Sequence, residues 1–284
     1  MFGKIRLKAC AKINLCLDII GVRADGYHLL ESIMQTVSLA DTLIFEKIPS
    51  GILLSCNKSH IPTDERNLCC KAAKKYFDAA GISGGIKIDL IKCIPDGAGM
   101  GGGSSDAAQV LKAMQIFYPA EVDLLEIAAS LGADVPFFLE GGTVLCSGIG
   151  EVLDPLSLPQ KNALFCVVTK PAEGLSTPLV YKLYDQIGAS FASPLSAELR
   201  TRLESGEIEA LFKALYNDLE LPAISQLPEI ASRKEMLLSM GADAAMMTGS
   251  GSAVFGLFQD RAQAIACEKA LLEKGMEAYF CTLL

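Results

Sequence analysis

The chain has 284 residues, 51% of them hydrophobic and 20% charged, and a formal net charge of −8. This balance fits a well-buried core, is too apolar for a disordered chain, and is long enough for two modest domains. The acidic excess excludes a general binder of nucleic acid or of a membrane surface, which needs clustered Lys and Arg. It does not exclude a local site for a small anion.

Residues 1–8 are basic but lack a long apolar stretch, so neither a signal peptide nor a membrane span is expected, and the location reads as cytoplasmic. Residues 5 to about 48 read as strands around one turn-rich loop at 21–28. A helix is expected over 67–80, stopped by Gly81. The strand expected over 86–94 alternates apolar and polar residues from Ile86 to Ile91, as a half-exposed strand of an antiparallel sheet does. A helix follows and ends before Pro119, then another over 122–131 that runs out into 132–138, then a strand at 143–147. A boundary is expected between Pro155 and Lys161, where Pro155 and Pro159 bracket a short polar stretch. The second half carries strands at 163–169, 253–258 and 278–282, and helices at 179–186, 208–216 and 261–273. The expected fold class is therefore α+β in two domains, 1–157 and 158–284.

The ten cysteines include no C-x-x-C pair, so a common zinc pattern is excluded. Cys10, Cys16, Cys93, Cys146, Cys166 and Cys267 sit among apolar neighbours and read as small buried hydrophobes of a reduced compartment; Cys69 and Cys70 read as structural. His28 and His60, the only histidines, cannot build a multi-histidine metal site.

The most informative segment is Pro95, Asp96, Gly97, Ala98, Gly99, Met100, Gly101, Gly102, Gly103, Ser104, Ser105 and Asp106. Its glycines let the backbone bend and let N–H groups approach a ligand closely. Ala107, Val110, Leu111 and Met114 then fall at helical spacing, with Ser104, Ser105 and Asp106 as expected caps. A glycine loop feeding a helix N-terminus is an anion site, and a nucleotide polyphosphate is the expected ligand. A dinucleotide fingerprint would leave a buried strand directly, and a Walker A loop needs a lysine after its glycines. A flexible linker would not run straight into a capped amphipathic helix.

Three further segments fit one site. Lys12 and Asn14 lie two apart on a strand and so share a face; a lysine among apolar neighbours should have an acidic partner, unless it is an edge lysine in water. Asp134 follows a helix end and precedes Pro136, the place of a base or of a plain turn or capping aspartate. Thr248, Gly249, Ser250, Gly251 and Ser252 form a second small-residue turn, placed to offer donors to a substrate or merely to enter a strand.

In these motifs the chain resembles the GHMP kinases: the P-x-G-A-G-M-G-G-G-S-S-D-A-A run is similar to that family's phosphate loop, and residues 246–253 to its C-terminal glycine motif. Residues 11–17, 21–32 and 131–138 resemble one branch of the family, and the matches run in order from residue 9 to residue 256. The resemblance implies a two-domain fold, with an N-terminal domain like a ribosomal-protein α+β domain, including its left-handed crossover, and a ferredoxin-like α+β C-terminal domain. It implies ATP-dependent phosphorylation of a small alcohol with Mg²⁺ on the phosphates, its ligands unassigned. Residues 95–105 would hold the phosphates, and Asn67 and Leu68 would line the adenine pocket. Asp134 would be the general base and Lys12 its charged partner. Asn14, Tyr27, His28, Thr177, Tyr181, Gly249, Ser250 and Gly251 would face the substrate; in that branch the acceptor carries a cytosine, for which Tyr27 and Tyr181 offer faces and His28 an edge partner. The chain would act as a monomer or weak homodimer on a small molecule, with no nucleic acid or membrane partner. Another GHMP kinase, a GHMP-fold decarboxylase and a catalytically dead nucleotide-binding regulator are the rival readings.

Overall fold

The computed structural model describes residues 3–158, 161–188 and 195–284. In chain order the elements are β1 (Lys4–Val22), β2 (His28–Ile48), β3 (Gly51–Cys56), α1 (Leu68–Ala80), β4 (Gly85–Ile91), α2 (Gly102–Phe117), α3 (Leu124–Ala129), α4 (Val135–Glu140), β5 (Thr143–Ser147) and β6 (Val152–Leu156). After a short 3-10 turn come β7 (Phe165–Lys170), α5 (Thr177–Gln186), α6 (Ser196–Ser205), α7 (Ile208–Ala214), β8 (Tyr216–Asn217), α8 (Glu220–Gln226), α9 (Glu229–Ser239), β9 (Ala244–Met247), β10 (Val254–Phe258), α10 (Arg261–Glu273) and β11 (Glu277–Thr282).

The chain forms two compact units. One takes the stretch ending at Ala11, Ala40–Ile94 and Gly101–Gly141; the other takes Lys12–Leu39, Pro95–Met100 and Gly142–Leu284. In the first, the end of β2 pairs antiparallel with β4, Thr42 opposite Ile91 and Ile48 opposite Gly85. β4 then pairs in parallel with β3, Ile52 beside Ile86. The sheet is thus mixed where an antiparallel one was expected, because β3 enters from a tight turn after β2 and lies on the outer edge of β4. Phe45, Ile86, Ile88, Tyr76 and Phe137 are fully buried in this unit. α1 is fixed at both ends: Asn67 Oδ1 accepts from Cys69 N at 2.9 Å, and Gly81 takes the left-handed conformation at φ +62°.

In the second unit the start of β2 pairs with β5, and β5 with β6. β8 runs parallel to β1, Cys16 beside Tyr216 and Leu17 beside Asn217. A separate antiparallel sheet has the order β11-β7-β10-β9, the strand order of the expected ferredoxin-like domain. Leu17, Val167, Leu237, Val254, Phe258 and Leu271 share its core.

Several expectations need correction. The helix read over 122–131 is only α3, and residues 135–140, read as a tail, form α4, because Pro136 sits in the first helical turn, where its missing N–H costs nothing. The helix read over 208–216 ends at Ala214, and Tyr216 and Asn217 join a sheet instead. β3, β6, α6, α8, α9 and β9 were not read. Cys93 is exposed and Cys10 only half-buried, whereas the other cysteines read as buried are so. Cys93 continues the alternation of β4, with Lys92 and Ile94 turned inward on either side. Pro159, one of the two prolines expected to bracket the boundary, lies outside the described residues.

Candidate active site

In the second unit the loop 95–100 lies against the turn 248–252. Gly251 N donates to Thr248 O at 3.0 Å and closes the turn; Ser252 N donates to Gly97 O at 3.3 Å. Gly99 sits at φ +71°, and a Cβ there would overlap Thr248 O and lie 3.2 Å from Gly251 N. Backbone meets backbone here, which only glycine permits. Lys12 N donates to Met100 O at 3.1 Å, so β1 is tied to the same loop.

Lys12 and Asn14 do share a face of β1: Lys12 Nζ donates to Asn14 Oδ1 at 2.6 Å, with Lys12 3% and Asn14 1% exposed. The edge lysine in water is excluded, and one partner of the ammonium is the Asn14 amide oxygen. Asn14 Nδ2 donates to Ser32 Oγ at 2.7 Å, and Asn14 N to Thr248 Oγ1 at 3.1 Å. A buried ammonium with an oriented donor network is a preorganised positive charge. Gly249 lies beside it, since a Cβ there would be 3.1 Å from Lys12 Nζ. Thr177 Oγ1 and Ser250 Oγ are 2.7 Å apart. Asn217 and Glu220, which sequence reading missed, hold this turn from behind: Asn217 Nδ2 donates to Met247 O and Gly249 O, each at 2.9 Å, and Glu220 Oε2 accepts from Met247 N at 2.8 Å. Their sequence neighbourhood carries no motif; the signal is only their place in space.

The hairpin between β1 and β2 is closed by Arg23 N donating to Tyr27 O at 2.7 Å. Arg23 also pairs with Asp25, whose carboxyl this hydrogen bond holds below its ordinary value. The His28 ring lies 4.8 Å from that of Tyr181 and edge-on to Tyr184 at 6.1 Å. His28 Nε2 is 2.7 Å from Asp185 Oδ1. In the tautomer that gives Nε2–H to that carboxylate, Nδ1 is an acceptor. His28 and Tyr181 are thus brought together, while Tyr27 is 61% exposed at the hairpin tip.

The first unit carries the rest of the glycine loop. α2 begins at Gly102, with Gly101 at its N-cap at φ +70° and no side-chain cap. Ser104, Ser105 and Asp106, expected as caps, instead lie inside α2, Ser104 and Ser105 in its first turn and Asp106 just beyond, because a left-handed cap is glycine's position. Ser105 Oγ donates to Cys10 O at 2.7 Å. The first amides of α2 therefore have no intrahelical acceptor and no side-chain cap, which suits an anion. Leu68 Cδ1 is 3.8 Å from where a Gly103 Cβ would stand. The Asn67 side chain is spent on capping and on Pro62 O, to which Nδ2 donates at 2.8 Å. Asp134 occupies the N-cap position of α4, but its side chain makes no capping bond.

Beneath α2 lies a buried ion cluster. Lys92 Nζ donates to Asp106 Oδ2 at 2.8 Å and pairs with Asp41 Oδ2. Asp41 Oδ1 accepts from Cys93 N and, at 2.8 Å, from Ile94 N. Burial pushes the Asp106 carboxyl up to about 7, Lys92 opposing the rise and Asp41 adding to it. The folded state therefore holds a proton that the unfolded chain releases above its ordinary value near 4. The Asp106 contribution to stability falls as pH rises from about 4 to 7 and is constant beyond. Asp106→Asn should flatten this part of the profile in urea titrations between pH 5 and 8; an unchanged slope would assign it to other groups.

Two family models match the chain, the GHMP kinases N terminal domain over residues 67–142 and the GHMP kinases C terminal domain over residues 199–277. The chain is 44% identical over 276 residues to the 4-diphosphocytidyl-2-C-methyl-D-erythritol kinase of Clostridium botulinum (strain Alaska E43 / Type E3), covering 96% of this chain and 98% of that one. The chain belongs to the GHMP kinases and is a phosphotransferase that uses ATP, with the α+β fold that the resemblance implied. Within that family it is similar to a crystal structure of 4-(cytidine 5'-diphospho)-2C-methyl-D-erythritol kinase, at 41% identity and a TM-score of 0.84, covering 98% of this chain and 99% of that chain. Homoserine kinase from Cytophaga hutchinsonii, at 17% identity and a TM-score of 0.75, shares the fold.

Proposed function

We propose that this kinase transfers the γ-phosphoryl group of ATP to the 2-hydroxyl of 4-diphosphocytidyl-2-C-methyl-D-erythritol, a step of the non-mevalonate (methylerythritol phosphate) route to isoprenoid precursors. The carrying observation is the similarity over nearly the whole chain to enzymes of that name. In this reading residues 95–105 and the start of α2 hold the ATP phosphates, with Leu68 and Asn67 on the adenine side. Mg²⁺ arrives with the nucleotide, as it usually does on substrate phosphates. Among the described residues no group of three or more His, Cys, Asp and Glu could hold a metal ion. Asp134 takes the proton of the attacking hydroxyl, and the Lys12 ammonium stabilises charge on that oxygen. An Asp134 side chain that makes no capping bond and the burial of Lys12 support these roles.

The chain's division at 157/158 is part of the proposal, and the two matched family models lie on either side of it. So are a cytoplasmic location, which the ten free thiols support, and a monomer or weak homodimer working on a small molecule. No helix among the described residues is long and apolar enough to cross a membrane. Incubation with ATP, Mg²⁺ and the cytidylyl substrate should give ADP and one phosphorylated product. Release of CO₂ would identify a decarboxylase, and no ADP a regulator.

Asn14, Thr177 and residues 249–251 face the substrate in this reading, and Tyr27, His28 and Tyr181 take the cytosine. His28 Nδ1 accepts from the exocyclic amine that uracil lacks. Tyr27→Ala should lower kcat/KM for the cytidylyl substrate by one to two decades, since a base–aromatic stack is worth about 1–3 kcal/mol and a decade about 1.4 kcal/mol. His28→Ala should also narrow the preference over the uridylyl analogue, and both variants should keep KM for ATP. Loss of ATP affinity with an unchanged substrate KM would move the hairpin to the adenine side.

A further inference from the structure

We propose that Lys92, Asp41 and Asp106 are positioning residues of the phosphate loop, an ion-paired clasp that sets where its two ends stand. The inference rests on the reading that this loop holds ATP. The free part of the loop is the seven residues 95–101, and three of them are glycines. Such a segment samples many conformations, and ordering it on the nucleotide would consume binding energy unless its ends are already fixed. They are. The two residues that lead into the loop, Cys93 and Ile94, both donate their amides to Asp41 Oδ1. The residue before them, Lys92, bridges Asp41 to Asp106, which lies at the start of the second turn of the helix that leaves the loop.

Gly102 completes the device. A Cβ there would lie 3.1 Å from Lys92 Nζ and 3.2 Å from Ile94 Cγ2. This glycine makes room for the lysine, so the glycines of the run have different jobs. A merely structural role is the competing account. Buried ion pairs are poor devices for stability alone, because apolar groups of similar size often serve as well or better. What an ion cluster adds is direction: each oxygen of Asp41 and the one ammonium have fixed partners, and the amides at the root of the loop inherit that geometry.

The test uses the full chain, with melting temperature and KM for ATP and for the alcohol substrate measured together. Lys92→Met should raise KM for ATP about tenfold or more, keep the alcohol KM within about twofold, and lower the melting temperature. Asp106→Asn, which keeps an acceptor for Lys92, should stay near the parent in KM for ATP. The Lys92→Met/Asp106→Leu/Asp41→Asn triple variant keeps an amide oxygen for the two backbone donors and removes all three charges; it should regain most of the melting temperature but not the ATP affinity. Recovery of both would overturn the proposal and leave a structural cluster. Lys92→Arg keeps the charge on a longer side chain that Gly102 barely accommodates, and it carries the test if the methionine variants do not fold. An unchanged KM for ATP in Lys92→Arg overturns the proposal there. Gly99→Val separates the two readings: if it too leaves KM for ATP unchanged, the loop is not the nucleotide site and that assignment fails, whereas a loss in Gly99→Val with none in the Lys92 variants refutes the clasp alone.

Discussion

Asp134→Asn is expected to bind ATP as the parent does while turnover falls by roughly 10²–10⁴-fold, the scale of a lost general base. Asparagine has nearly the same shape and cannot take the hydroxyl proton. The fold should tolerate the change, because Asp134 sits at the N-cap position of α4 at φ −81° and ψ −13° without a capping bond, so no helix depends on its oxygens. Most aspartates in such a place are caps, and their loss costs about 1 kcal/mol. Calorimetry for ATP and steady-state turnover decide it. Turnover within a few-fold of the parent would remove Asp134 from the base role, and loss of ATP binding would move it to the nucleotide.

Gly99→Val should be the most damaging change in the glycine run. Valine is a poor occupant of φ +71°, and its Cβ would overlap Thr248 O, a backbone atom that cannot swing aside. The loop must leave the turn, and the bond from Ser252 N to Gly97 O goes with it. Strain of this kind costs about 1–3 kcal/mol, and ATP affinity should fall at least tenfold. Gly97→Ala is the control: it sits at φ +59°, but a Cβ there meets nothing within 4 Å. It should cost only the left-handed penalty of about 1 kcal/mol. Urea unfolding and calorimetry on both variants distinguish contact from conformation; equal losses in the two would mean that the turn is not what confines Gly99.

The motifs were legible because each carries its own local physics. Gly81 ends α1 in the conformation glycine favours, and the run 97–103 turns into α2 within one residue of its last loop position. The spacing of Lys12 and Asn14 put both on one face of β1, where they bond each other. What stayed hidden depends on distant partners. Lys92 and Asp41 are 51 residues apart, and neither flanking sequence announces a buried pair. Asp185 meets His28 across 157 residues. β3 was not read at all, and only its pairing decides that it runs parallel to β4. The caps were misplaced because Ser104, Ser105 and Asp106 are good cap residues locally, yet tertiary partners at Cys10 and Lys92 claim two of them.

Cys93 gives this enzyme a natural handle for spectroscopy. It is the one exposed thiol among the ten cysteines; Cys10 and Cys56 are half-buried and the others are buried. Burial pushes the Cys16 thiol up to about 12 and that of Cys267 up to about 11, which keeps both protonated and inert to alkylation near neutral pH. A maleimide fluorophore would therefore attach chiefly at the root of the phosphate loop without any engineered cysteine. Its emission during a nucleotide titration would report, in real time, on the surroundings of the residue two before the loop.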